Sequence, residues 1–442
     1  MEASSAGSGE MSTASRPDGT ATLSTEAWFA PGRANLMGEH TDYNEGFVLP
    51  FALAQGVTAT ATARADGLLV LRSRQKPGDI VMVALDALAP GSVTGWAAYP
   101  AGVAWALRAA GFEVVGASID IDSDLPVGAG VSSSAALECS TALALCSLSG
   151  LAVARGQLAL IAKRAENEFV GAPTGIIDQS AALLCEQGHA MLLDCGTLAR
   201  TQVPFRPAAA GAVALIIDTR VTHALVSGEY AARRAECEEA ARLLGVPALG
   251  AVTDASAVEK LADPVLRSRA RHVITDSARA RAIASALQGE DERGSGGGAG
   301  GGAGGAGGGA GGAGGGAGGA GGGAGGAGAG KKGKNSAAVY RYVGALLTEG
   351  HASLRDDFEV SWPQADAAVN VAIGSGAYGA KMIGGGFGGS VLALIPLERE
   401  ATVRSLLSET FQQRGWAAPE YLDAVPSPAA RRRGDHVQPG FS

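Results

Sequence analysis

The spacing of apolar residues divides the chain into elements before any chemistry is considered. Residues 57–63 (VTATATA) and 67–72 (GLLVLR) alternate or are β-branched, which predicts paired strands. Residues 99–110 (YPAGVAWALRAA) have helical spacing that stops at Gly111. Residues 116–122 (GASIDID) alternate again, a strand half-buried on its Ile face. After a Gly- and Ser-rich stretch, residues 135–148 predict a helix of small apolar residues, and residues 157–170 one with a charged side. The short apolar run 213–218 (VALIID) predicts a buried strand, and residues 229–244 a helix rich in Ala, Arg and Glu. Helical spacing returns over 265–287 and 336–347, and residues 381–396 read as a turn feeding an apolar strand. Strands and helices mix without the alternation of a doubly wound sheet, so the fold class is α+β.

Between the last two helices, residues 294–330 are Gly and Ala with a single Ser. This run holds 26 of the 67 glycines, so the remainder of the 442 residues has an ordinary globular composition. Without a collagen period, and flanked by charges, it reads as an insertion in a helix–helix connection rather than an association element. The Ser- and Thr-rich residues 1–25 read as an extension without the apolar core of a signal peptide. One lobe is expected over 26–210, a second over 211–425, and a solvated tail, with Arg431, Arg432 and Arg433, over 426–442. A hydrophobic content of 46% excludes wholesale disorder. A net charge of −8 argues against a nucleic-acid surface, and no apolar stretch is long enough to span a membrane. Five isolated cysteines fit reduced thiols in a cytoplasmic protein.

Three segments carry candidate chemistry. Residues 30–46 (APGRANLMGEHTDYNEG) crowd Arg33, Glu39, His40, Asp42 and Asn44 among Gly and Pro, either a solvated turn or a loop that recognises a hydroxyl-rich ligand. Residues 125–135 (LPVGAGVSSSA) pass from strand through a Gly-rich turn into a helix. That arrangement points free N–H groups at an anion, although the serines could simply cap the helix. It is not a Walker A loop, because no Lys follows. Residues 381–390 (KMIGGGFGGS) predict close backbone approach to a ligand or to another loop. Asp178, in GAPTGIIDQ, reads as a helix N-cap or as a base near a substrate hydroxyl.

In this order the segments resemble the galactokinases of the GHMP small-molecule kinase superfamily. GRANLMGEHTDYNEGFVLP looks like the sugar signature, LPVGAGVSSSA the phosphate loop and KMIGGGFGGS the C-terminal glycine motif. Fainter likenesses include AENEFVGAPTGIIDQ, SGEYAARRAECEEAA and RHVITDSARA, the last with no role attached. The resemblance implies a two-lobed fold with the active site between lobes, and transfer of a phosphoryl group from ATP to the C1 hydroxyl of galactose. It implies Asp178 as catalytic carboxylate, as base or orienting charge, with Arg33 beside it. Sugar contacts carried over are Glu39, His40, Thr41, Asp42, Gly175 and Tyr230. ATP contacts carried over are Ser73, Gly128, Ala129, Gly130, Val131, Ser132, Ser133 and Ser134, with Mg2+ on Ser134 and Glu166. A cytoplasmic monomer is expected. A kinase for N-acetylgalactosamine or arabinose, or a sensor of galactose and ATP without catalysis, are the competing readings. Val131, Thr174 and Lys381 depart from the family's usual residues, and none is expected to touch an assigned catalytic role.

Overall fold

A computed structural model describes residues 25–126, 128–222, 227–295 and 327–434. The first half contains strands β1 (Thr25–Asn35), β2 (Phe47–Val48), β3 (Pro50–Arg64), β4 (Leu68–Ser73) and β5 (Val81–Ala84), then helix α1 (Ala98–Ala109) and strand β6 (Gly116–Ser123). Helices α2 (Ser133–Leu148), α3 (Arg155–Arg164) and α4 (Ile177–Leu184) follow, then strands β7 (His189–Asp194) and β8 (Arg200–Pro204). The second half runs β9 (Ala212–Val221), α5 (Ser227–Leu244), α6 (Pro264–Ser295), α7 (Ala327–Asp356) and α8 (Pro363–Gly374). It ends with β10 (Gly379–Ile383), β11 (Gly389–Pro396), α9 (Glu400–Gln413), β12 (Glu420–Asp423) and β13 (Arg431–Arg432).

The strands form three sheets, ordered β13-β1-β3-β6-β4-β5, β10-β11-β9-β12 and β2-β7-β8. Among the described residues only β4 and β6 pair in parallel. Helix α2, rich in Ala because it lies close against β1 and β3, covers the first sheet. The apolar run of β9 is buried on both faces: Ala214 and Ile216 join one hydrophobic cluster, Leu215 and Ile217 the other. Neighbouring β11, buried along its whole length, alternates in the same way.

Four segments differ from expectation. Residues 30–35, read as loop, belong to β1, and a bulge between Pro31 and Arg33 re-aims the strand where Arg33 projects. The helix expected over 157–170 is α3 followed by a π-helical turn, Ala165–Val170, which carries Glu166. Residues 381–390 join two strands in a hairpin, β10 to β11, rather than leading into one. The arginines of the expected tail are tied down. Arg431 and Arg432 pair with Phe29 and Trp28 of β1, and the Arg431 and Arg433 guanidinium groups lie 4.6 and 4.9 Å from the centre of the Phe29 ring. The extension over residues 1–24 and the central part of the Gly/Ala run lie outside the described residues, whereas α6 and α7 reach into its two ends.

Candidate active site

Arg33 lies where β1 meets the Gly-rich turn before α2. Its Nη1 donates to the Gly130 carbonyl at 2.7 Å, and its backbone N–H to Val131 O at 3.1 Å. Its Nη2 stands 2.8 Å from Asp178 Oδ1, in the first turn of α4. One guanidinium therefore ties the Gly-rich turn to the Asp178 carboxylate. The third glycine segment closes the loop from the opposite side. Ser390 Oγ donates to Ala129 O at 2.7 Å, and a Cβ on Gly384 would meet Gly130 O at 3.3 Å. Ser132 takes the left-handed conformation at the N-cap of α2, with φ of 60°, but its side chain makes no capping bond. The helix start is thus left without the side-chain oxygen that would compete with an anion.

Arg33 and Asp178 form one wall of a cavity of about 180 Å³. Glu39, His40, Asp42 and Gly175 line it from the first half, Tyr230 and Gly385 from the second. Burial raises the Glu39 pKa against the opposing effect of Lys381, whose Nζ pairs with Glu39 Oε2 in a fully enclosed contact. Glu39 Oε1 has no hydrogen-bond partner among the described residues. Burial lowers the His40 pKa to about 3, so the imidazole is neutral at physiological pH, and its Nδ1 is 3.0 Å from Tyr43 Oη. Burial, then the Asp178 charge, push the Asp42 carboxyl upward. Burial holds the Tyr230 hydroxyl protonated, well above its ordinary value.

Thr41 is not part of this wall. Its hydroxyl faces the Gly38 and Phe47 carbonyls at 2.9 and 2.8 Å, so it braces the loop from inside. Ser73 also stands apart from the cavity. It pairs with Ile121 near the end of β6, which leads into the Gly-rich turn, and borders a separate surface hollow with Arg72, Arg74 and Lys76.

Glu166 lies behind the start of α2, fully enclosed. Its Oε2 accepts from Thr174 Oγ1 at 2.6 Å and from Gln179 Nε2 at 2.8 Å. Gln179 also donates to Glu138 Oε2 at 3.0 Å. Burial raises both glutamates; the Glu166 and Asp178 charges push Glu138 further and the Asp178 charge pushes Glu166, whereas hydrogen bonds from Thr174, Gln179 and Ser134 oppose the effect at Glu166. Buried carboxyl groups beside a serine hydroxyl are oxygen donors of the kind a hard divalent cation takes. Among the described residues no group of three metal-ligating side chains exists, so phosphates and water would have to complete the coordination.

Two of the departing residues contact other assigned site residues. Thr174 touches Glu166 through its hydroxyl, and Lys381 is the counter-ion of Glu39. Sequence reasoning also missed Glu138, Gln179, His272 and Asp276. Gln179 had a local signal, standing next to Asp178, but the others are brought in by the fold.

The chain matches three family models: the galactokinase galactose-binding signature over residues 20–63, the GHMP kinases N terminal domain over 98–186 and the GHMP kinases C terminal model over 335–413. A galactokinase of Streptomyces coelicolor is 43% identical over 409 residues, covering 92% of this chain and 93% of the relative. One from Mycobacterium tuberculosis is 38% identical, covering 92% and 99%. The crystal structure of Lactococcus lactis galactokinase complexed with galactose superposes with a TM-score of 0.78 at 27% identity, over 92% of this chain and 95% of that one. Methanococcus jannaschii mevalonate kinase, at 15% identity and a TM-score of 0.56, shares the fold.

Proposed function

The chain belongs to the galactokinase family of GHMP kinases and is an ATP-dependent sugar kinase, and we propose that it moves the γ-phosphoryl group of ATP to the C1 hydroxyl of α-D-galactose, giving galactose 1-phosphate and ADP. The observation that carries this reading is the Arg33–Asp178 pair, 2.8 Å apart on the cavity wall, with the same guanidinium bonded to Gly130 of the anion loop.

Phosphoryl transfer depends on positioning and charge stabilisation more than on covalent chemistry. Glu39, through its free Oε1, His40 and Asp42 hold the sugar hydroxyls, and the Gly175 backbone lets the ring approach Asp42. Tyr230 closes the pocket from the second half. Asp178 takes the proton of the C1 hydroxyl, and Arg33 holds that carboxylate in place and faces the incoming phosphoryl group. Residues 128–134 receive the phosphates of the nucleotide, and Ser73 contacts the nucleotide from the flanking strand. Ser134 and Glu166 would hold Mg2+, which when bound neutralises phosphate charge and orients the γ-phosphoryl group. Five free cysteines, four of them buried, support a reducing, cytoplasmic setting.

An ADP-release assay across galactose, glucose, N-acetylgalactosamine and arabinose, with and without magnesium, tests the reading. Galactose should give the highest kcat/KM, and magnesium should be required. Faster turnover of another sugar would reassign the substrate, and galactose binding without ADP release would leave a sensor. Asp178→Asn keeps the shape and removes the charge. It should lower kcat by about a hundred-fold or more, the range for removing a general base, and near-normal turnover would overturn the role.

A further inference from the structure

The segment RHVITDSARA, residues 271–280, lies on α6 and lines no part of the cavity, yet it grips the loop that does. His272 Nε2 is 3.0 Å from the Glu39 carbonyl, and Asp276 Oδ2 accepts from the Gly38 N–H at 2.9 Å. The two side chains, four residues apart on one helix face, thus hold the main-chain groups on either side of the Gly38–Glu39 peptide. The next residue of the helix, Ser277, accepts through Oγ from the Phe47 N–H of β2 at 3.3 Å. All three helix residues are buried.

The loop needs such support. Gly38 has φ of 99° and His40 φ of 63°, and a side chain in the left-handed region persists only where its surroundings over-determine it. A carbonyl can only accept, so His272 must carry its proton on Nε2. Burial lowers the His272 pKa, and Nδ1 lies 3.0 Å from Ser353 Oγ of α7, whose hydroxyl donates to Asp357 Oδ2 at 3.0 Å. Asp276 is steadied in turn by Arg279, whose Nη1 donates to Oδ1 at 3.1 Å. A second route runs through packing: the Phe358 ring lies between the two imidazoles, 4.6 Å from His272 and 4.7 Å from His40.

We infer that His272 and Asp276 are positioning residues for sugar recognition: from the second half of the chain they fix the Gly38–Glu39–His40 backbone, and so the directions in which Glu39 and His40 reach the sugar. The inference rests on reading that loop as the sugar site. It separates the two substrates, because neither residue contacts the turn over residues 128–134 in the bonds that hold it.

The test compares His272→Ala, His272→Gln, Asp276→Ala and Asp276→Asn with the unaltered enzyme, reading KM for galactose and for ATP and the dissociation constant for galactose by calorimetry. Each alanine variant leaves a buried main-chain group unpaired, which should raise the galactose KM and dissociation constant about ten-fold or more. The ATP KM should stay within about two-fold. His272→Gln, which can donate from nearly the same place, should recover most of the galactose affinity. If the alanine variants do not fold, the same split must appear, smaller, in His272→Gln and Asp276→Asn. A galactose constant within two-fold of the unaltered enzyme, or an equal rise for both substrates, overturns the inference. Failure of the unaltered enzyme to phosphorylate galactose would instead overturn the substrate reading, and it is seen in the same experiment before any variant is compared.

Discussion

Gly175 lies so close to Asp42 that a Cβ there would stand 1.7 Å from Oδ2. The carboxylate already has little freedom, being buried and within 3.4 Å of the Ile177 N–H. Gly175→Ala should therefore displace Asp42 rather than merely fill space. An overpacked site costs about 1–3 kcal/mol, and here the cost falls on a group that lines the cavity. The galactose KM should rise about ten-fold, with the ATP KM little changed. Steady-state kinetics with each substrate varied checks this, and a parental galactose KM would mean that Asp42 does not contact the sugar. At this scale the sequence was readable where a residue's chemistry has an unusual density, as in the run from Glu39 to Asp42. It was not readable where the partner decides. Thr41 looks like its neighbours, yet two carbonyls within the loop take up its hydroxyl. Thr174 looked like a neutral replacement until the π-helical turn brought Glu166 to 2.6 Å from it.

Among the elements, β10 and the loop after β1 are joined by one buried ion pair, Lys381 with Glu39, where Lys381 is 0% and Glu39 4% exposed. Of the influences that favour the Glu39 anion, Lys381 is the largest, set against burial and the nearby Asp276 charge. Lys381→Met keeps the length of the side chain and removes the cation. Breaking a buried pair on one side costs about 3–5 kcal/mol, so the variant should unfold at markedly lower urea. Replacing both partners, Lys381→Met with Glu39→Leu, should recover much of that stability, because two buried charges also cost desolvation. The double variant should nevertheless bind galactose poorly, since the Glu39 oxygen is gone. Recovery of affinity along with stability would show that Glu39 acts only on the fold. Elements whose pattern is local were legible: β6 by its alternation, α1 by its spacing and terminal Gly111, β9 by its unbroken apolar run. The short strands β2 and β13 were not, because two residues carry no period and their pairing is set by β7 and β1. The grip of α6 on the loop after β1 was invisible for the same reason, since Gly38 and Asp276 meet across 238 positions of chain.

Over the whole molecule, the sheet β10-β11-β9-β12 is the shared wall of two hydrophobic clusters. Leu392 and Leu394 of β11 face the cluster that contains β1, β3 and α2, whereas Val391, Ala393 and Ile395 face the cluster of α5, α8 and α9. Neither cluster can be dismantled without exposing one face of the same strands. The cavity lies where both halves contribute walls, and its loop is bonded to α6 and β10 as well as to β1. Chains of this size often unfold in stages, but here the physical boundary between the clusters is a strand that belongs to both. The two halves should therefore unfold together. Tryptophan fluorescence can report each side separately: Trp28, Trp96 and Trp105 pack on the first cluster, Trp362 and Trp416 belong with the second. Variants that keep only one set should give urea midpoints that coincide with each other and with far-UV circular dichroism. Leu392→Ala and Ile395→Ala, on opposite faces of β11, should each shift both reporters by the same amount, about 2–5 kcal/mol for a large buried side chain cut to Ala. If Ile395→Ala moved only the second set of tryptophans, the halves would be independent units, and the coupling of the loop after β1 to α6 would have to survive the melting of one of them.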